Sequence, residues 1–267
     1  MSLHCPTLSQ REYILNEGIK KGIIYWHAFP FNAQLEIYDE SMTEFGLQLS
    51  RDCSHRFGAP VSNTLSQRDV PGITKSAIPI LKQYNVSAIS IGVNGGSAPP
   101  GTHPIFRWKY GEQSEDSMLT LVHPGSYGGV LLKDTVYLEH FEHALVMAWN
   151  DDNAGPPPVS KVLDWYNQTA VNFPAAKVFA SSFTDFVHIL QATPSVYDAL
   201  PVMEGEMGDS WSFGIQSDPY KLAAHRIAQS HRSQCIRSGR CLLNDSNFYN
   251  FSRLLLKNGE HTVGIIS

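Results

Sequence analysis

Short apolar runs alternate with amphipathic stretches along most of the chain, the pattern of successive βα units. The run 22–26 (Gly-Ile-Ile-Tyr-Trp) reads as a strand, and 39–57 as a helix with Met42, Phe45, Leu47 and Leu49 on its apolar side and Asp39 or Ser41 as N-cap. A weaker strand follows at 61–66. Next comes a helix at 74–84, with Ile78, Ile80 and Leu81 inward and Pro79 as a point of kinking. Residues 86–93 (Val-Ser-Ala-Ile-Ser-Ile-Gly-Val) form the clearest buried-strand pattern, and 117–122, 144–149 and 177–180 read as further strands. Helices are expected at 159–172 and 183–192, and 220–256 reads as mostly helical. Strands alternating with helices or long loops point to an α/β fold, either a parallel barrel or an open sheet.

The polar residues that end these runs carry the first functional signal. His27 follows the first run, Arg68 and Asp69 the second, and Asn94 the third. His123, with Tyr127 close behind, follows 117–122, and Asn150, Asp151 and Asp152 follow 144–149. In βα barrels the active site forms at the C-terminal ends of the strands, where the βα loops converge. Loops are polar in any protein, but His, Asp and Tyr at these places are chemically capable in a way that Lys, Glu and Ser are not.

Composition narrows the classes. The 267 residues suffice for one large domain or two small ones, with 42% hydrophobic and 17% charged positions and a net charge of −5. An acidic balance without a clustered basic face argues against a nucleic-acid partner. No apolar run reaches the roughly 18–20 residues of a membrane span, and 1–30 shows no charged-then-apolar leader pattern. The compartment stays open. Cys235 and Cys241 either close a small disulfide loop or remain two thiols near a helix end. Asn-x-Ser/Thr sequons occur at Asn85, Asn167, Asn244 and Asn250.

Three places could carry chemistry. Asp69 lies in Ser66-Gln-Arg-Asp-Val-Pro-Gly-Ile-Thr74, between a strand end and a Pro-Gly turn ahead of a helix. That position favours a rigid anion, suited to a nucleophile or a metal ligand, and an Asx-turn or N-cap role would explain it equally well. Asp151 and Asp152 precede the stiff stretch Asn153-Ala-Gly-Pro-Pro-Pro158. Two carboxylates on one barrel face are what glycoside hydrolysis requires. His261 stands between Gly259 and Gly264 after the last helix, where a lone histidine is more often structural than a ligand. His140 and His143 lie three apart with no third ligand nearby and read as a structural or solvated pair.

Taken together, several segments resemble the catalytic half of glycoside hydrolase family 38, the α-mannosidase-like enzymes, and are closest to a divergent branch of that superfamily. They are Trp26-His-Ala-Phe-Pro-Phe-Asn32, Arg68-Asp-Val-Pro-Gly-Ile-Thr74 running into Ile78-Pro-Ile-Leu-Lys-Gln83, and Gly92-Val-Asn-Gly-Gly-Ser-Ala-Pro-Pro100. Phe106-Arg-Trp108, His123-Pro-Gly-Ser-Tyr-Gly-Gly129, Asp152-Asn-Ala-Gly-Pro-Pro157 and Glu260-His-Thr262 follow in the same order. The resemblance implies a (β/α)7-type glycoside hydrolase/deacetylase barrel, incomplete at its N-terminus, with 1–215 as the partial barrel. A helical segment, 216–267, would supply a late metal-site histidine.

The resemblance also assigns roles. Asp69 falls on the nucleophile, which doubles as a zinc ligand, and Asp152 on the general acid and base, with Asp151 as the alternative. His261 falls on the late zinc ligand and Tyr127 near a tyrosine that hydrogen-bonds the sugar. His27, Asn94 and His123 are expected to line the substrate face on the strand-end argument alone. The implied activity is zinc-dependent, retaining hydrolysis of α-mannosides or related glycans. One departure stands out: the family's first strand ends in His-x-Asp, which supplies two zinc ligands, and no His-x-Asp occurs in this sequence. The pattern is therefore that of a fragment. The alternatives are a non-catalytic carbohydrate-binding remnant with Trp26, Trp108 and Tyr127 at its mouth and, further off, a metal-dependent polysaccharide deacetylase.

Overall fold

A run with no polar alternation suits a strand covered on both faces, and the run 86–93 becomes one: β2 (Ala88–Val93) is buried at every position. The computed structural model describes residues 5–111, 117–151, 154–208, 211 and 218–261. Around β2 lies a five-stranded sheet of order β1-β2-β4-β3-β5. Its other strands are β1 (Thr64–Asp69), β3 (Ile105–Lys109), β4 (Ser117–Val122) and β5 (Val202–Met203). β1 and β4 flank β2 in parallel, β3 runs antiparallel to β4, and β5 is parallel to β3. The described residues also form eight α-helices: α1 (Leu8–Tyr13), α2 (Glu40–Phe57), α3 (Ala77–Gln83), α4 (Val159–Asn172), α5 (Phe183–Gln191), α6 (Pro194–Tyr197), α7 (Pro219–Arg237) and α8 (Ser246–Lys257). The architecture is mixed α/β with a mostly parallel sheet, and no β5–β1 pairing closes it among the described residues.

One apolar cluster joins α2, α3 and α8 to one face of the sheet, through residues such as Met42, Ile78, Ile89 and Leu256. A second cluster packs α5 and α6 around Ala88, Leu119 and Leu121. Asp39 caps α2 as expected, accepting from Met42 N at 2.8 Å, and Gly58 ends the helix in the left-handed region. α8 joins α2 through the first apolar cluster, and α7 docks beside them through polar groups. Arg232 donates to Ser41 Oγ at 2.6 Å and to Ser252 Oγ at 2.9 Å, with its guanidinium 5.1 Å over the Phe45 ring. Ser233 Oγ donates to Asp39 Oδ2 at 2.7 Å, and Gln229 Nε2 to Ile37 O at 2.8 Å.

Three expected strands do not form. Residues 22–26 are turn and coil around Gly22 (φ 70°), with Ile23 and Ile24 exposed, and 177–180 make no ladder. In 144–149 only Leu145 pairs, in a lone bridge to Val136. Apolar runs become strands only where a neighbouring edge offers hydrogen bonds, and the outer edge of β4 is taken by β3, with β5 beyond it. Trp108 of β3 is fully buried, its Nε1 donating to Gly205 O at 2.8 Å, so it belongs to the core and not to a binding mouth. Trp26 likewise turns toward α2, donating to Ser54 Oγ at 3.1 Å.

A cationic cluster with no carboxylate among its described partners is enclosed in the sheet below the β1 and β2 ends. The buried Arg68 guanidinium donates to Gln67 O (2.8 Å), Ser90 O (3.2 Å) and Ser90 Oγ (3.1 Å), and to His123 Nε2 (3.1 Å). Burial pulls its pKa down to about 10, so it stays charged at neutral pH. His123 Nε2, which also accepts from Ser90 Oγ at 2.9 Å, must then be the unprotonated ring nitrogen. Desolvation, then the Arg68 charge, lowers His123 to about 3 and His27 to about 4.

Both histidines resist protonation in the folded chain and accept protons readily once unfolded, near pKa 6.5. Below about pH 6.5 the unfolded state therefore binds more protons, and folding stability falls as pH drops toward the folded values. Urea unfolding between about pH 7 and pH 4.5 should show stability lost by up to roughly 1.4 kcal/mol per pH unit for each histidine. His123→Gln should remove about one proton's worth of that slope, and an unchanged slope would contradict the assignment.

Candidate functional site

Asp69, the last residue of β1, pairs in register with Val93, and its carbonyl accepts from Asn94 N at 3.0 Å. Parallel pairing thus brings Asp69 and Asn94 to the same C-terminal edge of the sheet. Asp69 has φ 82°, in the left-handed region that short polar residues tolerate best, and this turns its carboxylate at the Pro-Gly corner. The loop after β4 delivers Tyr127 to the same place. Ser126 takes φ 64° and its Oγ donates to Val93 O at 2.5 Å, tying the loop down on β2. Gly92 makes that approach possible, since a Cβ there would lie 2.9 Å from Tyr127 Cα and 2.5 Å from Arg68 Cδ.

His261 arrives from the far end of the chain. Gln34 N donates to Gly259 O at 2.9 Å, Ala33 and Glu260 form an antiparallel bridge, and His261 N donates to Asn32 O at 3.0 Å. The Asn32 side chain meanwhile accepts from Arg68 N at 3.0 Å. One residue therefore holds the backbone beside Asp69 with its side chain and the backbone of His261 with its carbonyl.

The carboxylate is gripped on both oxygens. Oδ1 accepts from the Tyr127 hydroxyl and from Asn94 Nδ2 at 2.8 Å, and Oδ2 lies 2.8 Å from His261 Nε2. Asn94 Nδ2 also lies 3.2 Å from the Tyr127 hydroxyl. Burial by itself would raise the pKa of Asp69, but the bonds from Tyr127, Asn94 and His261, with the His261 charge, outweigh it and hold the group below the usual carboxylate range. On its other side, His261 Nδ1 faces the Glu260 carboxylate. Trp211 stacks on the His261 ring (6.2 Å, 17°) and donates to Ser97 Oγ at 2.9 Å, and Trp149 packs 5.3 Å from the Tyr127 ring. The result is a half-buried anion, pre-ionised at neutral pH and rimmed by aromatic rings.

Asp69, Asn94, Tyr127 and His261 thus converge. His123, only 3% exposed, belongs to the Arg68 cluster below, and His27 lines a small cavity against α2 with Leu47 and Ser50. Asp151 is exposed, two residues beyond Trp149, and Asp152 lies outside the described residues. Asn32, Gly92, Glu260, Trp149 and Trp211 contribute without having been singled out. Asn32, Gly92 and Glu260 sat inside the segments quoted for the resemblance, whereas nothing local marks Trp211.

The residues that the resemblance gives to zinc are Asp69 and His261. They are hydrogen-bonded to each other, and among the described residues no group of three or more His, Cys, Asp or Glu side chains converges. Zinc sites use three or four ligands. This donor set does not fit a zinc ion, and no step proposed below passes through one.

If Asn32 sets the site, Asn32→Leu should cost about 1–3 kcal/mol in urea unfolding, because the Arg68 amide loses its acceptor. The residue-32 carbonyl survives this change, but a strap released from β1 should carry it, and His261 with it, away from Asp69, read by NMR as loss of the hydrogen-bonded His261 ring N–H resonance. A variant with that resonance intact would show that Asn32 does not set the spacing.

Comparison with known proteins shows the fold. The chain is similar to the crystal structure of an alpha-mannosidase from Enterococcus faecalis V583, with a TM-score of 0.67 and 16% sequence identity over 96% of this chain. It spans 32% of that enzyme's chain, about a third of its length. No protein-family model matches the sequence, and no curated protein matches it.

Proposed function

We propose that this chain carries the nucleophile side of a retaining glycosidase site of α-mannosidase type, acting on α-mannosides or related glycans. The observation that supports it best is the Asp69 carboxylate: ionised, oriented by three side chains and standing at the C-terminal edge of parallel strands. The similarity to an alpha-mannosidase structure points the same way. We read the sheet as part of the wall of a β/α barrel, the setting in which strand-end residues face one site.

In this reading Asp69 attacks the anomeric carbon while a general acid protonates the departing oxygen. Water then hydrolyses the glycosyl–enzyme ester, with the same acid now acting as base. Asp152 is our assignment for that acid, with Asp151 as the alternative. Tyr127 and Asn94 fix Oδ1, and Oδ2, whose partner among the described residues is His261, keeps a lone pair for the sugar. As the ester forms and the negative charge leaves Asp69, these donors hold the acyl oxygen in place. Trp149 and Trp211 offer apolar faces beside the carboxylate for the pyranose ring.

A second reading has its own observation. With Asp69 and His261 bonded to each other and no third ligand group among the described residues, the site also suits a carbohydrate-binding remnant that does no chemistry.

Turnover of an aryl α-mannoside decides between them. The intact protein should cleave it with retention, and Asp69→Asn should lose at least about a thousandfold in kcat with an unchanged melting temperature. Near-normal turnover by that variant would remove Asp69 from the nucleophile role. Binding of the sugar without turnover, unchanged in Asp69→Asn, would favour the remnant.

A further inference from the structure

All four sequon asparagines are exposed, but the fold treats the four sequons differently. At three of them the hydroxyl residue has a structural task. Ser87 Oγ donates to Asn63 O at 3.1 Å in the turn that starts β2, and the buried Thr169 donates to Trp165 O at 2.8 Å within α4. Ser252, with no exposure, accepts from Arg232 Nε at 2.9 Å and so helps dock α7 on α8. The side chains at these positions are explained by folding alone.

Asn244-Asp-Ser246 is the exception. Asn244 and Ser246 are both exposed, and neither side chain makes a hydrogen bond within the described residues. Only the middle residue works for the fold: Asp245 caps α8, accepting from Phe248 N at 2.8 Å. The acceptor amide and the hydroxyl therefore stand free in a surface turn just outside a helix, where a transferase can engage both. Directly before this turn the chain is closed by a Cys235–Cys241 disulfide. Disulfides persist in oxidising compartments, which in eukaryotic cells include the lumen where N-glycans are attached.

We infer that Asn244 is an N-glycan acceptor and that the α7–α8 turn is matured in an oxidising secretory compartment. The donor is an oligosaccharide linked to a lipid through a diphosphate. Asn244 Nδ2 forms a bond to the anomeric carbon as the bond from that carbon to the diphosphate oxygen breaks. The amide proton passes to a base of the transferase, and the lipid diphosphate leaves. No oxidation or reduction is involved. This inference stands apart from the glycosidase reading and survives or fails without it.

The test uses protein isolated from the cells that make it, with free thiols blocked, digested with trypsin without reduction and then with reduction. The peptide from Cys241 to Arg253 contains both Asn244 and Asn250. It should appear at its expected mass only after N-glycosidase treatment in heavy-oxygen water, with labelled aspartate at 244 in the fragment spectrum. Its recovery unmodified without the glycosidase, or label at 250 alone, overturns the assignment. Ser246→Ala, which leaves Asn244 and the Asp245 cap in place, should abolish the glycan and keep the melting temperature. A glycan that persists at 244 in this variant would overturn the sequon reading.

Discussion

The site depends on the double grip of Asn32. Its side chain substitutes for a neighbouring strand along the outer edge of β1, accepting from Arg68 N, while its carbonyl holds His261 N. The strap around it continues the work: Ala28 N donates to Thr64 O at 2.8 Å, and Gln67 exchanges two bonds with the backbone of Ala33. An exposed strand edge would leave a row of backbone donors and acceptors unpaired. Here that edge is covered by an irregular segment, and the same segment carries the chain end that brings His261 to Asp69. Sheet edge protection and site assembly are one set of hydrogen bonds.

Charge is layered around that grip. Below the strand ends sits a buried guanidinium whose described partners are neutral acceptors, together with two histidines kept uncharged. At the surface of the same edge sits a carboxylate kept charged. Burying a cation without a carboxylate is costly unless its donors are met, and Gln67 O, Ser90 and His123 meet them. The neutral state of His123 is part of that arrangement, because its unprotonated Nε2 is one of the acceptors. The carboxylate above needs no such cover: solvent reaches it, and three side-chain donors supply the rest.

Legibility from the sequence follows the range of the interactions. Helix α2 and strand β2 were readable because their signals are local, a cap followed by an amphipathic face in one and a mostly apolar run broken only by a small serine in the other. β4 coincided with its expected span for the same reason. The runs at 22–26 and 177–180 also read as strands and did not become strands, since a strand also needs an unclaimed edge. β3 and β5, which claim that edge, are an antiparallel insertion and a two-residue addition that no local pattern distinguishes from loop.

The site divides in the same way. Asp69 and Asn94 were visible because a polar residue at the end of a parallel strand is placed by the strand itself. Tyr127 and His261 were noticed from their places after a strand and after the last helix, but only the ordered set of segments that resemble family 38 gave them a role. His123 stood at an equivalent sequence position yet turned inward onto Arg68, and His27, which follows no strand, lies against α2, because which way such a side chain points depends on the neighbour it meets. The sequence by itself determined the α/β class, the central strand and the nucleophile candidate, all products of interactions within a few residues. Tertiary structure decided the sheet order, the partners of the carboxylate and the division between site and core. Those rest on contacts between segments far apart in the chain, such as His261 with Asp69, 192 residues apart, and local propensity carries no information about them.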